Sequence, residues 1–270
     1  MVAVSRVFLT GASGTLGRVL APALAAAGHR PVLSDLVPFP DALPEGAAFA
    51  AADLTDAAAL DAACPADATA IVHFGGINTE RSADEILAGN VLGTTRVFEL
   101  ARSRGARVVF ASSNHAIGFH PRDRALTASD PYRPDGFYGL SKVYAEMLGR
   151  LFFDKHGVES VHLRIGSCLP APRDGRHRAT WLSYPDLVRL VEAAVAAPRP
   201  GHAVVWGISN NAGRWWTGDD AGRIGYHPQD DAERFAAALM PEVGDAIALA
   251  YQGGGMCAQG YDRPVPGDAG

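Results

Sequence analysis

The sequence predicts an α/β protein with a doubly wound parallel sheet of the Rossmann type and a small C-terminal substrate-binding appendage. Short β-branched runs alternate with alanine-rich stretches of helical length, which is the pattern of parallel strands connected by helices. The first run leads directly into a glycine-rich turn, TGASGTLG at residues 10–17. No segment repeats at a fixed period, which argues against solenoid and propeller folds.

The core elements follow in chain order from the apolar runs and their endings. We expect strands at residues 6–10, 31–34, 49–52, 70–74, 107–111 and 158–164, and helices at 16–28, 85–104 and 137–156. The first helix ends at Gly28, because glycine readily takes the left-handed conformation that stops a helix. Ligands of open α/β sheets bind beyond the carboxyl ends of the strands, so these ends should line one crevice.

The pattern changes beyond Gly166 to a proline-rich loop. There we expect a helix at 186–197, a strand at 203–206 and a helix at 230–240. This is a small appendage and not a second independent domain. The tail after Gln252, with three consecutive glycines and two late prolines, is expected to pack little and to be partly mobile.

Composition and charge restrict the class of protein. The 270 residues carry a formal net charge of −5, which disfavours a nucleic-acid-binding surface. No apolar stretch is long enough to span a bilayer, and the first residues lack the features of a signal peptide. The three cysteines lie far apart, as reduced thiols do. We expect a cytoplasmic protein that binds neither nucleic acid nor membrane.

The glycine-rich turn predicts a dinucleotide site. Gly11, Gly14 and Gly17 follow a strand and open a helix, where a bare backbone and free helix amides, with Thr15 and Leu16 in the first turn, suit a pyrophosphate. Asp35 ends the second strand 18 residues after Gly17. An acidic side chain there binds ribose hydroxyls and repels a 2′-phosphate, so we expect NAD as the cofactor.

A tyrosine and a lysine four residues apart predict proton transfer. Tyr138 and Lys142 fall on one face of the helix expected at 137–156. A nearby cation and an oxidised nicotinamide would both stabilise the phenolate. A serine hydroxyl at the end of the preceding strand could hold the reacting oxygen, and Ser112 and Ser113 are both candidates.

His115 and His120 lack further ligands at metal-binding spacing, so we expect no metal site.

The motifs TGxxGxxG and Ser…YxxxK resemble those of the extended short-chain dehydrogenase/reductase family. More narrowly, IVHFGGI (71–77), FASSNHAIGF (110–119), RPDGFYGLSK (133–142), LRIGSC (163–168) and AVVWGISN (203–210) resemble the bacterial uronate dehydrogenases. The family resemblance covers residues 6–165, and the narrower one covers most of the chain. It implies a catalytic, NAD-binding core at 1–166 and a substrate-binding segment at 167–270.

The resemblance implies oxidation of the C1 hydroxyl of D-galacturonate or D-glucuronate to an aldarolactone. Tyr138 would be the base, Lys142 would bind the nicotinamide ribose, and the family spacing selects Ser113 to orient the reacting oxygen. Further cofactor contacts would come from Leu36, Asp53, Leu54, Phe74, Gly75 and Gly76. The sugar would be bound by Asn78, Ser113, Asn114, His115, Tyr138, Ser167 and Arg176.

The substrate carboxylate requires a cation, and arginine suits a planar carboxylate best. The family's arginine aligns with Arg176, but Arg173 and Arg178 lie in the same segment, so all three stay candidates. Asn78 departs from the serine that the resemblance leads us to expect after GGI. Its amide can still hydrogen-bond a hydroxyl, while its bulk leaves the epimer preference open.

Two other functions share these motifs. One is an epimerase or reductase of nucleotide-linked sugars, although only 104 residues follow Gly166 to build a second nucleotide site. The other is a non-catalytic NAD-binding sensor, which does not need the serine, tyrosine and lysine together. Exposed helices of this fold commonly pair, so we also expect a homo-oligomer.

Overall fold

The computed structural model describes residues 5–264. Its strands are β1 (Arg6–Thr10), β2 (Arg30–Ser34), β3 (Ala48–Phe49), β4 (Ala70–His73), β5 (Arg107–Ser113), β6 (Ser160–Ile165), β7 (Ser167–Cys168), β8 (Trp181–Leu182) and β9 (His202–Gly207). Seven of them form one parallel sheet in the order β3-β2-β1-β4-β5-β6-β9, and β7 and β8 form a separate pair. The core strands β1 and β4 lie at the centre of the order, as a doubly wound sheet requires.

Helices connect the strands. They are α1 (Thr15–Ala26), α2 (Ala57–Ala63), α3 (Ala83–Ile86), α4 (Gly93–Arg104), α5 (Phe137–His156), α6 (His177–Thr180), α7 (Tyr184–Ala196), α8 (Ala221–Ile224), α9 (Ala246–Ala250) and α10 (Gly255–Ala258). A π-helical segment, Leu87–Leu92, joins α3 to α4. Within residues 5–264, every helix is too short or too polar to cross a membrane.

Two apolar layers lie on opposite faces of the sheet. Alternate side chains of a strand point to opposite faces, so Val7 and Leu9 of β1 pack in one layer and Phe8 packs in the other. The first layer contains α1 and α7, and the second contains α4 and α5. Helices therefore cover both faces, which confirms the predicted Rossmann class.

Most predicted elements are present with shifted ends. The strand expected at 49–52 is Ala48–Phe49, and the strand expected at 158–164 is Ser160–Ile165. The helix expected at 230–240 is wrong, because Ala232–Ala238 is a 3-10 helix in which only Ala232 is buried. A short segment without an apolar face gains little from packing and does not extend into a stable α-helix.

The expectation that the tail after Gln252 packs little is wrong for residues 253–258. Gln252, Gly253, Gly254 and Cys257 are buried. The Gln252 side chain accepts a hydrogen bond from Trp216 Nε1 at 2.7 Å and donates to the Pro121 carbonyl at 2.9 Å. Hydrogen bonds of one buried amide anchor this segment, and hydrophobic periodicity does not reveal them. Residues 265–270 of the tail lie outside the described residues.

The chain after Gly166 contributes to the core sheet. Strand β9 pairs with β6 from Ser160↔His202 to Ile165↔Gly207, and α7 packs against α1. The division at residue 166 stays a prediction about which part binds the cofactor and which binds the substrate. The structure adds that residues from both sides of this boundary share one sheet.

Candidate active site

The carboxyl ends of five core strands border one cavity of about 830 Å³, which is at the large end of small-molecule sites. The residues expected at the cofactor all line it: Gly11, Gly14, Thr15, Leu16, Gly17, Asp35, Leu36, Asp53, Leu54, Phe74, Gly75, Gly76 and Lys142. Asn78, Ser113, Asn114, His115 and Tyr138 line the same cavity. Ser167 and Arg176 lie beside it, in contact with each other.

The glycine-rich turn fits a phosphate group. Gly11 has a φ of 72°, and a Cβ there would overlap the backbone of residues 74–75. A Cβ on Gly17 would overlap the Gly11 carbonyl oxygen. Gly14 caps α1 without a side-chain hydrogen bond, and no acidic residue lies in the first turn. The amides of Thr15, Leu16 and Gly17 in the first turn of α1 have no acceptor within residues 5–264, so they are available to an anion, as phosphate binding at a helix N-terminus requires.

Asp35 lies at the next strand end. Its Oδ2 accepts a hydrogen bond from Ser13 N at 3.0 Å, and its Oδ1 accepts one from Leu36 N at 2.8 Å. These two bonds fix a carboxylate at the rim of the cavity. A carboxylate retains further acceptor sites, so it can bind ribose hydroxyls, whereas a phosphate on the ribose would meet like charge.

Tyr138 and Lys142 are buried on the cavity side of α5. Lys142 Nζ donates to the Ala111 carbonyl at 2.9 Å and lies 5.2 Å from the centre of the Tyr138 ring. Burial raises the pKa of Tyr138 to about 12, while a hydrogen bond with Ser113 acts in the opposite direction. Burial lowers the pKa of Lys142 to about 8. The resting site therefore holds a neutral phenol beside a lysine that loses its proton easily.

The two serine candidates point to different places. Ser112 also lines the cavity, but its Oγ donates to Glu146 Oε1 at 2.6 Å. Glu146 is completely buried and pairs with Arg164 at 2.8 Å. Ser113 Oγ instead accepts from His115 N at 3.2 Å and lies close enough to Tyr138 to affect its pKa. The geometry therefore favours Ser113 as the hydroxyl beside the tyrosine.

One of the three candidate arginines contacts a residue that lines the cavity. Arg178 is exposed and pairs with Glu233 at 2.7 Å, and Arg173 is exposed. Arg176 is half-buried, and its Nη1 donates to Ser167 Oγ at 3.1 Å. When the Asn114 amide is oriented so that its nitrogen donates to the Ile165 carbonyl, its oxygen accepts from Arg176 Nη2 at 3.2 Å.

Three buried or bridging polar residues of the site were not predicted. Glu80 accepts from the amides of Phe137 and Tyr138 at 2.8 and 2.9 Å, and so caps α5 from a distant loop. Asn90, in the π-helical segment, bonds both backbone groups of Ile77. Asp135 contacts His115. The presence of a polar residue in an apolar helix could have indicated Asn90; nothing local distinguishes Glu80.

The chain is similar to known proteins in sequence as well as in fold. Residues 7–180 match the NAD dependent epimerase/dehydratase family, and the chain belongs to this family. The chain is 42% identical over 260 residues to the uronate dehydrogenase of Pseudomonas putida, covering 95% of this chain and 97% of that protein.

Two solved structures agree closely with the fold. One is uronate dehydrogenase from Agrobacterium tumefaciens, a tyrosine-to-alanine mutant complexed with NAD. It has a TM-score of 0.88 and 41% identity, covering 95% of this chain and 98% of that one. The other is a glucuronic acid dehydrogenase from Chromohalobacter salexigens, with a TM-score of 0.89 and 39% identity, covering 98% of this chain and 100% of that one.

Proposed function

We propose that this protein is an NAD-dependent uronate dehydrogenase that oxidises the C1 hydroxyl of D-galacturonate or D-glucuronate to an aldarolactone. The observation that carries the proposal is the position of Arg176. Its guanidinium reaches Asn114, which lines the same cavity as Ser113 and Tyr138. A cation for a carboxylate and a hydroxyl–phenol pair for proton transfer thus lie side by side.

The residues at the sheet edge fit NAD. The open amides of α1 and the bare glycine backbone suit the pyrophosphate, and Asp35 suits an unphosphorylated ribose. Lys142 would hold the nicotinamide ribose. Bound there, NAD supplies a positively charged ring that accepts the hydride from C1.

Tyr138 acts as the base that takes the proton of the C1 hydroxyl. Burial holds its pKa near 12, so the phenol needs a nearby positive charge to ionise at neutral pH. The Lys142 ammonium provides that charge, and an oxidised nicotinamide bound at this site would add to it. Ser113 donates a hydrogen bond to the reacting oxygen, and loss of the proton and the hydride together converts the C1–OH group into the lactone carbonyl.

Arg176 binds the sugar carboxylate. Its Nη groups already donate to Ser167, Gln252 and Asn114, which fixes the guanidinium plane. Its Nε is buried and has no partner within residues 5–264. A buried N–H without a partner is unfavourable, and a carboxylate of the substrate would remove that cost.

Nucleotide-sugar epimerisation is the competing function. It requires space for a second nucleotide next to the sugar, and the chain beyond residue 166 is largely used by β9, α7 and the anchored segment at 252–258. A non-catalytic sensor would not need Ser113, Tyr138 and Lys142 together in one cavity. Both observations favour the dehydrogenase.

We further propose a homo-oligomer in the cytoplasm. Phe137, Leu140, Tyr144, Met147 and Leu151 form an exposed stripe along α5, with the three- and four-residue spacing of a helix-packing surface. A second copy of the chain would cover it by two-fold symmetry.

The cytoplasmic location is supported by the cysteines. Cys64, Cys168 and Cys257 are free thiols, as expected in a reducing compartment.

The test is NADH formation from a panel of sugars. Galacturonate, glucuronate, neutral galactose and a UDP-sugar are each offered with NAD or NADP. The proposal expects rapid NAD-dependent oxidation of the uronates and little reaction with galactose. Conversion of the UDP-sugar with no oxidation of either uronate would contradict it.

A further inference from the structure

Asp135 and His115 form a pair beside the catalytic tyrosine. Asp135 Oδ2 lies 2.6 Å from His115 Nδ1. The Asp135 side chain is completely buried, while 16% of the His115 side chain is exposed. The second carboxyl oxygen, Oδ1, is buried without a hydrogen-bond partner in the described part of the chain. His115 is thus the principal partner of this carboxyl group.

The fold holds Asp135 in one position. A Cβ added to Gly118 or Gly253 would overlap Oδ2, and one on Gly139 would lie 3.0 Å from Oδ1. The Cys257 thiol completes the enclosure, 3.8 Å from Oδ2. Three glycines from separate segments leave room for this carboxyl and for little else. The carboxyl group is therefore fixed against the imidazole.

This arrangement favours one tautomer of His115. An ionised carboxylate only accepts hydrogen bonds, so its contact with Nδ1 is satisfied when the imidazole hydrogen is on that nitrogen. Nε2 then has a lone pair when the ring is neutral. The structure gives Nε2 no partner within residues 5–264, and the imidazole lines the cavity with its edge against the Tyr138 ring, 5.8 Å between centres.

Two groups near the substrate side of the cavity are not free to accept a hydrogen bond from a sugar hydroxyl. Arg176 offers only donors, and the Asn114 amide is engaged by the Ile165 carbonyl and by Arg176. A sugar hydroxyl that donates its hydrogen needs an acceptor nearby, and His115 Nε2 can supply one.

We propose that Asp135 is a positioning residue that fixes His115 in the Nδ1–H tautomer, so that Nε2 accepts a hydrogen bond from a sugar hydroxyl. The role in binding rests on the proposed function, because it requires a polyhydroxy substrate in this cavity. The tautomer itself does not.

The tautomer can be measured by NMR on the full-length protein with ¹⁵N-labelled histidine rings. The chain has nine histidines, so the His115→Gln variant identifies the signal of His115. The proposal expects the proton of neutral His115 on Nδ1 in the wild type. It expects the proton on Nε2 in Asp135→Asn, because the amide can donate to Nδ1. A wild-type proton on Nε2, or no change in Asp135→Asn, would overturn it.

Kinetic measurements distinguish a residue that positions His115 from one that only stabilises the fold. In Asp135→Asn we expect kcat/KM for the uronate to fall about 10- to 100-fold, the size of loss typical when the group that orients a metal-bound histidine is removed, with NADH affinity unchanged. Asp154→Asn, the same replacement on the exposed side of α5, is the matched control and should behave as wild type. A variant with a lower unfolding temperature but unchanged kcat/KM would show a purely structural pair.

The two proposals fail differently. If the wild type oxidises no uronate, the proposed function is wrong, and the wild-type tautomer still decides the role of Asp135 toward His115. If Asp135→Asn does not fold, the tautomer of the wild type alone supports or overturns the proposal.

Discussion

Replacing Arg176 by methionine should remove the preference for acidic sugars. Methionine keeps much of the length of the side chain and removes every donor. A hydrogen bond to a charged group contributes about 1.5–3 kcal/mol, so loss of a two-bond carboxylate contact costs roughly 3 kcal/mol. Since about 1.4 kcal/mol corresponds to a factor of ten, kcat/KM for galacturonate should fall roughly 100-fold.

The assay compares galacturonate with neutral galactose in the same variant. Methionine also leaves the Gln252 carbonyl without the donor that lies 2.7 Å away in the wild type. Any resulting distortion affects both sugars, so the ratio of their kcat/KM values isolates the carboxylate contact. Arg178→Met and Arg173→Met are matched controls, because both side chains are exposed. The assignment would be refuted if Arg176→Met lowered kcat/KM equally for the two sugars, or if either control variant lost the preference for galacturonate over galactose.

Four other changes test the remaining parts of the site. Tyr138→Phe should lower turnover about 10²- to 10⁴-fold while NAD binding, followed by fluorescence titration, persists; unchanged turnover would remove Tyr138 from the mechanism. Glu80→Ala removes the cap of α5 and should cost about 1 kcal/mol, a decrease of roughly 2–4 °C in Tm; an unaltered Tm would show that the cap is dispensable. Lys142→Met should abolish turnover yet raise Tm at pH 7, because burial lowers the pKa of this lysine to about 8. Between about pH 8 and 10.4 the unfolded wild type binds more protons than the folded wild type, so wild-type stability rises with pH in that window. The difference in Tm between Lys142→Met and the wild type should therefore shrink as the pH rises; a constant difference would contradict the assigned burial cost. Leu140→Glu should reduce the mass measured by light scattering to that of a monomer, and an intact oligomer would place the interface elsewhere.

Local spacing made much of this site predictable. The glycines at 11, 14 and 17 bend the chain by their own conformational properties. Tyr138 and Lys142 meet because a helix turns once in about 3.6 residues. Such features depend only on neighbours in sequence. For the same reason the order of strands and helices in the first half of the chain was predicted well.

The remaining site residues depend on contacts between distant segments. Ser112 and Ser113 are equivalent as neighbours in sequence, and the choice between them follows from Glu146, 34 residues away, which engages Ser112. Arg176 is distinguished from Arg173 and Arg178 only by the partners that the fold brings to it. No periodicity encodes these contacts.

The C-terminal segment shows the same limitation. Glycines and prolines are typical of mobile tails, and the glycines at 253 and 254 were interpreted in that way. The structure buries both of them, and Gly253 packs against Asp135, where a side chain would not fit. Small size at a close contact, and not flexibility, explains a glycine at this position.

Transfer of a deuterium label tests the central claim most directly. Galacturonate with deuterium at C1 is incubated with the protein and NAD, and the reduced cofactor and sugar product are analysed by mass spectrometry. The account predicts deuterium in the reduced cofactor and an aldarolactone or its ring-opened acid without the label. Deuterium retained in the sugar, or an epimer with no net NADH, would contradict oxidation at C1.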